Sequence, residues 1–269
     1  MPGHPSLRLD PWLAALATRR SRREYDGRPV TSADLDALET MAADFRPWDD
    51  ARCAVVRDAP PALFTGIVGA YGRVSGATSA LVFLATVDSP TAQEHCGYTG
   101  EGLVLEASAR GLATCWVGGF FSGNVARQLV EAGADERILA VSPVGYATPR
   151  PPARERMVFG AGKPKRRRTL DDIASGHGSW PGWARAAVEA ARVAPSAMHR
   201  QPWRFRLEDG ALIVASSGVQ TPRLSLRLDC GIAMLHAELG ARGAGCDGAW
   251  EALTAPDVAR WVPVSPDPA

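Results

Sequence analysis

Arg19-Arg20-Ser21-Arg22-Arg23 places four guanidiniums around one hydroxyl within five consecutive positions. A guanidinium fork matches a pair of phosphate oxygens better than an ammonium does, and a serine hydroxyl can donate to a third oxygen. The partner this run calls for is a phosphate monoester. Leu16 and Tyr25 flank it and would press it against the body of the protein, whereas a run without such anchors reads as a solvated basic face. A second constellation is Pro195-Ser196-Ala197-Met198-His199-Arg200-Gln201-Pro202-Trp203, which crowds polar side chains and backbone amides between two prolines. That is the composition of a rigid loop built to hold a ligand. Lys163 to Arg168, K-P-K-R-R-R, adds a third set of cations inside a Gly- and Pro-rich stretch that otherwise reads as a linker.

Other chemistry is not signalled. His4, His95, His177, His199 and His236 have no metal-ligand spacing. The glycines of Gly97 to Gly102 miss the dinucleotide pattern, and Gly162-Lys163 lacks the hydroxyl residue of a phosphate-binding P-loop. Cys115, beside Trp116 at the end of a helical pattern, reads as packing rather than as a nucleophile. Trp180 and Trp183 read as core.

The elements that must position these residues follow from apolar spacing. Pro11 to Thr18 predicts a short helix that runs into the arginines. Thr31 or Ser32 caps a helix over Ala33 to Ala43, and Arg46-Pro47-Trp48 leads into a strand, Ala51 to Arg57. Ser79 to Val87 is a buried strand, Gly100 to Arg110 a helix closed by Gly111, and Ile138 to Tyr146 a strand. Trp183 to Val193 is helical and stops because Pro195 denies Ala194 the helical region. Trp203 to Leu207 then alternates as a strand, Ala211 to Ser216 is a second buried strand, and Asp229 to Arg242 is a helix closed by Gly243. Helix, Pro-Trp loop, strand, buried strand and small-residue helix thus recur in order at a separation of roughly 130 to 155 residues, the mark of a duplicated domain. The expectation is an α+β chain of two halves, 1–162 and 163–269, packed as one interlocked unit.

The 269 residues suffice for a sizeable core, and the net charge of +1 gives no reason to expect nucleic acid or an acidic membrane as partner. Five cysteines form no C-x-x-C pair, and neither a signal core nor a membrane-spanning run is present, so a reduced, cytoplasmic protein is expected.

With these pieces in place the chain resembles the FMN-dependent nitroreductase family. The resemblance is carried by Arg19-Arg20-Ser21-Arg22-Arg23, by the P-S-x-x-N-x-Q-P-W loop matched at Pro195 to Trp203 with His199 in place of Asn, by Arg110-Gly111-Leu112-Ala113-Thr114-Cys115-Trp116, and by the basic Lys165-Arg166-Arg167. It implies a nitroreductase-like fold, internally duplicated so that one chain mimics the family homodimer and a monomer suffices. It also implies an FMN phosphate held by Arg19, Ser21, Lys165 and Arg167, with Arg20 either contributing or solvated. Arg23 would stand at the pyrimidine side of the flavin, Gly118 and Gly119 would offer a backbone amide near N5, and Pro195, Ser196, Ala197, Met198, His199 and Gln201 would line ring and ribityl chain. The pseudo-symmetric site has Ser175-Gly176-His177-Gly178-Ser179, Ala43-Asp44-Phe45-Arg46 and the Trp261 to Ala269 tail in the corresponding places. All three are degenerate, so one FMN per chain is expected. The activity implied is hydride transfer from NADH or NADPH through flavin to a small electron-poor acceptor such as a nitroaromatic or quinone, with no protein nucleophile named. A catalytically weak flavin-binding or flavin-sensing protein is the alternative.

Overall fold

Alternation along Ser79–Thr86 decides how the first sheet is built. In the computed structural model, which describes residues 6–64, 74–149, 167–221 and 225–264, Leu81, Phe83 and Ala85 enter one core cluster. Ala80, Val82 and Leu84 enter another on the opposite face, as a side-chain period of two requires. A strand covered on both faces is apolar at successive positions, which is why this run carries no polar face. It is strand β2, flanked by β1 (Ala51–Val56) and β4 (Glu136–Gly145), with the short β3 (Ala113–Thr114) beyond β4. The order is β1-β2-β4-β3 and every pairing is antiparallel.

The second sheet repeats that order as β5-β6-β8-β7, with β5 (Trp203–Glu208), β6 (Ala211–Ser216), β7 (Gly248–Ala252) and β8 (Asp257–Pro263). Asp209 and Gly210, both at positive φ, make the two-residue turn that joins β5 to β6. Helices α1 (Leu9–Thr18), α2 (Ser32–Asp44), α3 (Ala92–Ala109), α4 (Gly123–Leu129), α5 (Leu170–Ile173), α6 (Gly182–Arg192) and α7 (Leu226–Gly243) complete an α+β architecture. One core cluster takes residues from both ends of the chain, Trp12 and Phe83 together with Trp203 and Trp261, and Trp180 and Trp183 pack against it. The boundary expected at 162/163 lies outside the described residues. Among the described residues no helix is long and apolar enough to cross a membrane.

The two long helices, α3 and α7, meet backbone to backbone. A Cβ built on Gly97 would lie 2.1 Å from the Leu228 carbonyl oxygen, and one on Gly231 would lie 1.9 Å from that of Glu94. Neither helix has an exposed polar face over its buried length, and their buried acids are paired. Arg227 Nε donates to Glu94 Oε2 at 2.8 Å and Tyr98 Oη to Glu238 Oε2 at 2.8 Å.

Sequence spacing found most of these elements within a residue or two but started α3 at Gly100, two turns late. Residues 95–99, His-Cys-Gly-Tyr-Thr, are weak helix formers with Gly97 the weakest, and packing against α7 overrides that preference. Helix α4 and strands β7 and β8 lay outside the expected elements. Gly123 opens the first, and Pro256 and Pro263 bracket the last.

The crossing yields a stability test. Gly231→Ala forces two backbones apart and should cost about 3 kcal/mol, the upper range for overpacking. Gly123→Ala in α4, where a Cβ meets nothing within 4 Å, should be neutral within about 0.5 kcal/mol or slightly stabilising. Urea unfolding of the two variants beside the parent measures both.

Candidate functional site

Helix α1 ends at Thr18 because the chain turns extended at Arg19, whose N–H still bonds the Ala15 carbonyl at 2.8 Å. Ser21 then forms a parallel bridge to Thr114 of β3, and the Arg22 N–H donates to the Thr114 carbonyl at 2.9 Å. The arginine run is therefore stitched to the sheet edge rather than left in solvent. Arg19 points inward and is 6% exposed. Its Nε lies 3.9 Å from Glu101 Oε1 and donates no hydrogen bond among the described residues. Burial lowers the Arg19 pKa, and Glu101 opposes that shift.

Glu101 is committed elsewhere. Trp116 Nε1 donates to its Oε2 at 2.7 Å, and His236 Nε2 sits 2.9 Å from its Oε1. The other ring nitrogen of His236 is 3.2 Å from the Ala190 carbonyl, so each ring nitrogen faces an oxygen. A buried chain, Arg19 to Glu101 to His236 to Ala190, thus links the end of α1 to the end of α6.

Just past that end lies the second constellation. Met198, His199 and Gln201 all adopt positive φ (51°, 57° and 50°), a region costing about 1–3 kcal/mol per non-glycine residue and held only where surroundings over-determine it. Here the surroundings are explicit. The Gln201 N–H bonds Ser196 Oγ at 2.9 Å, the Ala197 N–H bonds Asp229 Oδ1 at 3.0 Å, and Arg200 Nη2 reaches Asp229 Oδ2 at 3.2 Å. Gln201 Oε1 accepts from the Arg168 N–H at 2.9 Å. Pro195 is buried, and Met198 is half exposed.

Arg167 joins the two constellations. Its Nη1 donates to the Ala194 carbonyl at the end of α6. Its pKa is pushed down to about 10, first by burial and then by the positive charges of Arg19, Arg192 and Arg20, with Glu101 acting in the other direction. Four guanidiniums therefore share one region with a single carboxylate. Arg20 is exposed and folds back onto the Ala17 and Arg19 carbonyls at 3.1 and 2.7 Å, complementing the end of α1. Among the described residues the Ser21 hydroxyl makes no hydrogen bond. Arg23 is half-buried, and its carbonyl accepts from the Ser75 N–H. Val117 bridges to Val141 of β4, and beyond it a Cβ on Gly118 would meet nothing within 4 Å, while Gly119 turns at φ 79°. Lys165 lies outside the described residues.

Sequence reasoning missed Arg192, Glu101, His236 and Asp229. Arg192 looks like the cation expected in any helix's last turn. The other three sit inside helical patterns, where only their presence among otherwise buried positions could have marked them.

Asp229 generates a pH test. Burial raises its carboxyl to about 6, against the pull of the Ala197 N–H and Arg200. An unfolded Asp titrates near 3.9, so the folded state favours the protonated acid, and that stabilisation is lost as pH rises from about 4 to about 6. Between pH 4 and pH 7 the parent should lose about 2 kcal/mol of unfolding free energy relative to Asp229→Asn, as read by urea titration of both chains at each pH. Parallel curves would show that Asp229 is not the group responsible.

The family model described as "Putative TM nitroreductase" matches residues 12–241. Protein DrgA of Synechocystis sp. is 30% identical over 138 residues, 51% of this chain and 62% of DrgA, so the match spans under two thirds of that relative. The crystal structure described as "a putative nitroreductase" from Thermotoga maritima MSB8 superposes with a TM-score of 0.64 at 20% identity, covering 95% of each chain, which speaks to the fold. A nitroreductase from Bacteroides fragilis NCTC 9343 solved with bound FMN is 18% identical, covers 51% of this chain and 88% of its own, and reaches a TM-score of only 0.41. That likeness is too loose to bear on this fold, and the FMN is that protein's. Because the family model takes in every element from α1 into α7, the chain belongs to the nitroreductase family.

Proposed function

We propose that the chain is an FMN-dependent oxidoreductase that takes electrons from NADH or NADPH and passes them to a small electron-poor acceptor such as a nitroaromatic or quinone. The observation that carries this reading is the buried Arg19 Nε, without a hydrogen-bond partner among the described residues, in a cluster where burial and then like charges lower the Arg167 pKa. Such a cluster is costly alone and is relieved by a dianion. The donor set fits a phosphate monoester, with guanidinium forks from Arg19 and Arg167, the Ser21 hydroxyl, and Arg192 at the rim. Lys165 would add a further cation.

In this reading the loop over Pro195, Ser196, Ala197, Met198, His199 and Gln201 lines the flavin, held in its strained form by Asp229. Arg23 stands toward the pyrimidine side, and Gly118 and Gly119 allow close approach of the backbone. Bound FMN supplies hydride acceptance and donation, so the protein's task is to bind, orient and exclude water. No side chain is asked to act as nucleophile. The halves 1–162 and 163–269 form one interlocked unit in which only one of two pseudo-symmetric sites is complete, which predicts one FMN per monomeric chain.

Arg19→Ala would strip a buried cation from Glu101 and confuse folding with binding, so the cleaner variant is Ser21→Ala with Arg167→Gln. Losing two charge-assisted hydrogen bonds of about 1.5 kcal/mol each should weaken FMN binding about 100-fold, measured by flavin fluorescence on titrating apoprotein. His177→Ala with Gly178→Ala, in the degenerate counterpart, should leave affinity within about 2-fold. Equal losses in both variants would move the phosphate site away from Arg19. Anaerobic addition of NADH or NADPH should bleach the yellow protein as dithionite does, and bleaching by dithionite alone would leave a flavin-binding protein without turnover.

A further inference from the structure

A cavity of about 130 Å³ lies between the two halves, away from the arginine cluster. Trp48, from the loop before β1, and Thr91, Glu94 and His95, from the start of α3, form one side. Met234 of α7 and Trp250 of β7 form the other. The deep end is closed by Val258 and Ala259 of β8, both buried, and the mouth is open at Thr91 and the exposed Ala252. An apolar cavity of ~150 Å³ is known to take up benzene, so this one has the size of a single six-membered ring.

Its polar lining is arranged for one kind of contact. His95 stacks on Trp48 with centroids 4.0 Å apart and ring planes 2° from parallel, which fixes the imidazole plane. Its Nδ1 sits 2.7 Å from Asp50 Oδ1, and Asp50 Oδ2 accepts from the Ser89 and Thr91 hydroxyls. Burial alone would raise the Asp50 pKa, yet the hydrogen bonds from Ser89, His95 and Thr91 leave it lowered. A carboxylate facing Nδ1 holds the hydrogen there, which leaves Nε2 of the neutral ring as an acceptor. Nε2 makes no hydrogen bond among the described residues. Glu94, the acid in the lining, is committed to Arg227 and does not compete for the ligand.

The geometry points to a binding site for a single-ring phenol, or a ring of the same size bearing an O–H or N–H donor, with the ring between Trp48 and Met234 and its donor on His95 Nε2. The site is independent of the flavin reading, because none of its residues belongs to the proposed phosphate or ring contacts.

The test is a ¹⁹F NMR titration of the purified protein, with its flavin as isolated, using 4-fluorophenol and fluorobenzene at pH 8. 4-Fluorophenol should bind saturably and at least 10-fold more tightly than fluorobenzene. His95→Phe keeps a ring against Trp48 but removes the acceptor, so the preference should shrink to within 2-fold. Ala259→Leu fills the deep end and should abolish binding of both probes. Ala252→Phe, at the exposed mouth and compatible with folding, should do the same if the deeper change disturbs β8. Absence of saturable binding by the parent, a 10-fold preference that survives His95→Phe, or binding unchanged in both filling variants would each overturn the proposal.

Discussion

Contact between the backbones of α3 and α7 is the constraint on which the rest of the molecule depends. With a side chain at Gly97 or Gly231 the helices could not approach this closely, and the polar groups that meet across them would be stranded. Arg227 with Glu94, Tyr98 with Glu238, and His236 with Glu101 all span the two halves of the chain at hydrogen-bond distance. Buried polar pairs of this kind contribute little net stability, since desolvation offsets most of the attraction. Their effect is on register. Sliding one helix by a single residue rotates its side chains by about 100°, which would break the three contacts together and leave buried charges without partners.

Glu101 carries that constraint from the crossing into the candidate site. Its two oxygens are taken by Trp116 and His236, and Arg19 approaches only to 3.9 Å. The carboxylate offsets part of the Arg19 charge without consuming its hydrogen-bond donors. The arginine thus stays buried and fixed while keeping donors for an outside acceptor. Burial, and after it the charges of Arg19, Arg192 and Arg20, depress the Arg167 pKa, so the cluster holds a repulsion that an anion would relieve. A ligand bound there would add its binding free energy to folding by mass action. The strained turns of the 195–201 loop are held by a carboxylate whose burial is itself unfavourable, which adds a second local cost at the same place.

What could be read from the chain without coordinates follows the same physics. Strands β2 and β6 were legible as unbroken apolar runs, and helices α2 and α6 because burial of one face imposes a period that survives in residue types. The arginine run and the Pro195 to Gln201 loop were legible because charge and proline stand out. The positive φ values at Met198, His199 and Gln201 were not, since no glycine marks them and their cause is Asp229, some thirty positions away. The first two turns of α3 were missed because their helical state comes from packing on α7 rather than from local preference. Glu101 and His236 were passed over for a related reason. A buried acid inside a helix acquires meaning only when its neighbours in space are known.

The same two helices also separate the arginine cluster from the cavity at Trp48. Met234 and His236 are two residues apart on α7, hence about 200° apart around its axis. Accordingly Met234 lines the cavity while His236 turns to Glu101. On α3, His95 and Glu101 are six residues apart, about 240° around the axis by the same geometry; His95 faces Trp48 and Glu101 faces Arg19. A helix pair that is buried all round has no solvent face on which to place function, so its polar residues must point into enclosed spaces between it and its neighbours. The pair lies between the two sheets, α3 against the first and α7 against the second. The space at Arg19 gathers cations around Glu101, and the one at Trp48 is lined by apolar and aromatic side chains with Thr91, His95 and an ion-paired Glu94. The difference follows from which loops close them, arginines after α1 in the first case and tryptophans before β1 and in β7 in the second.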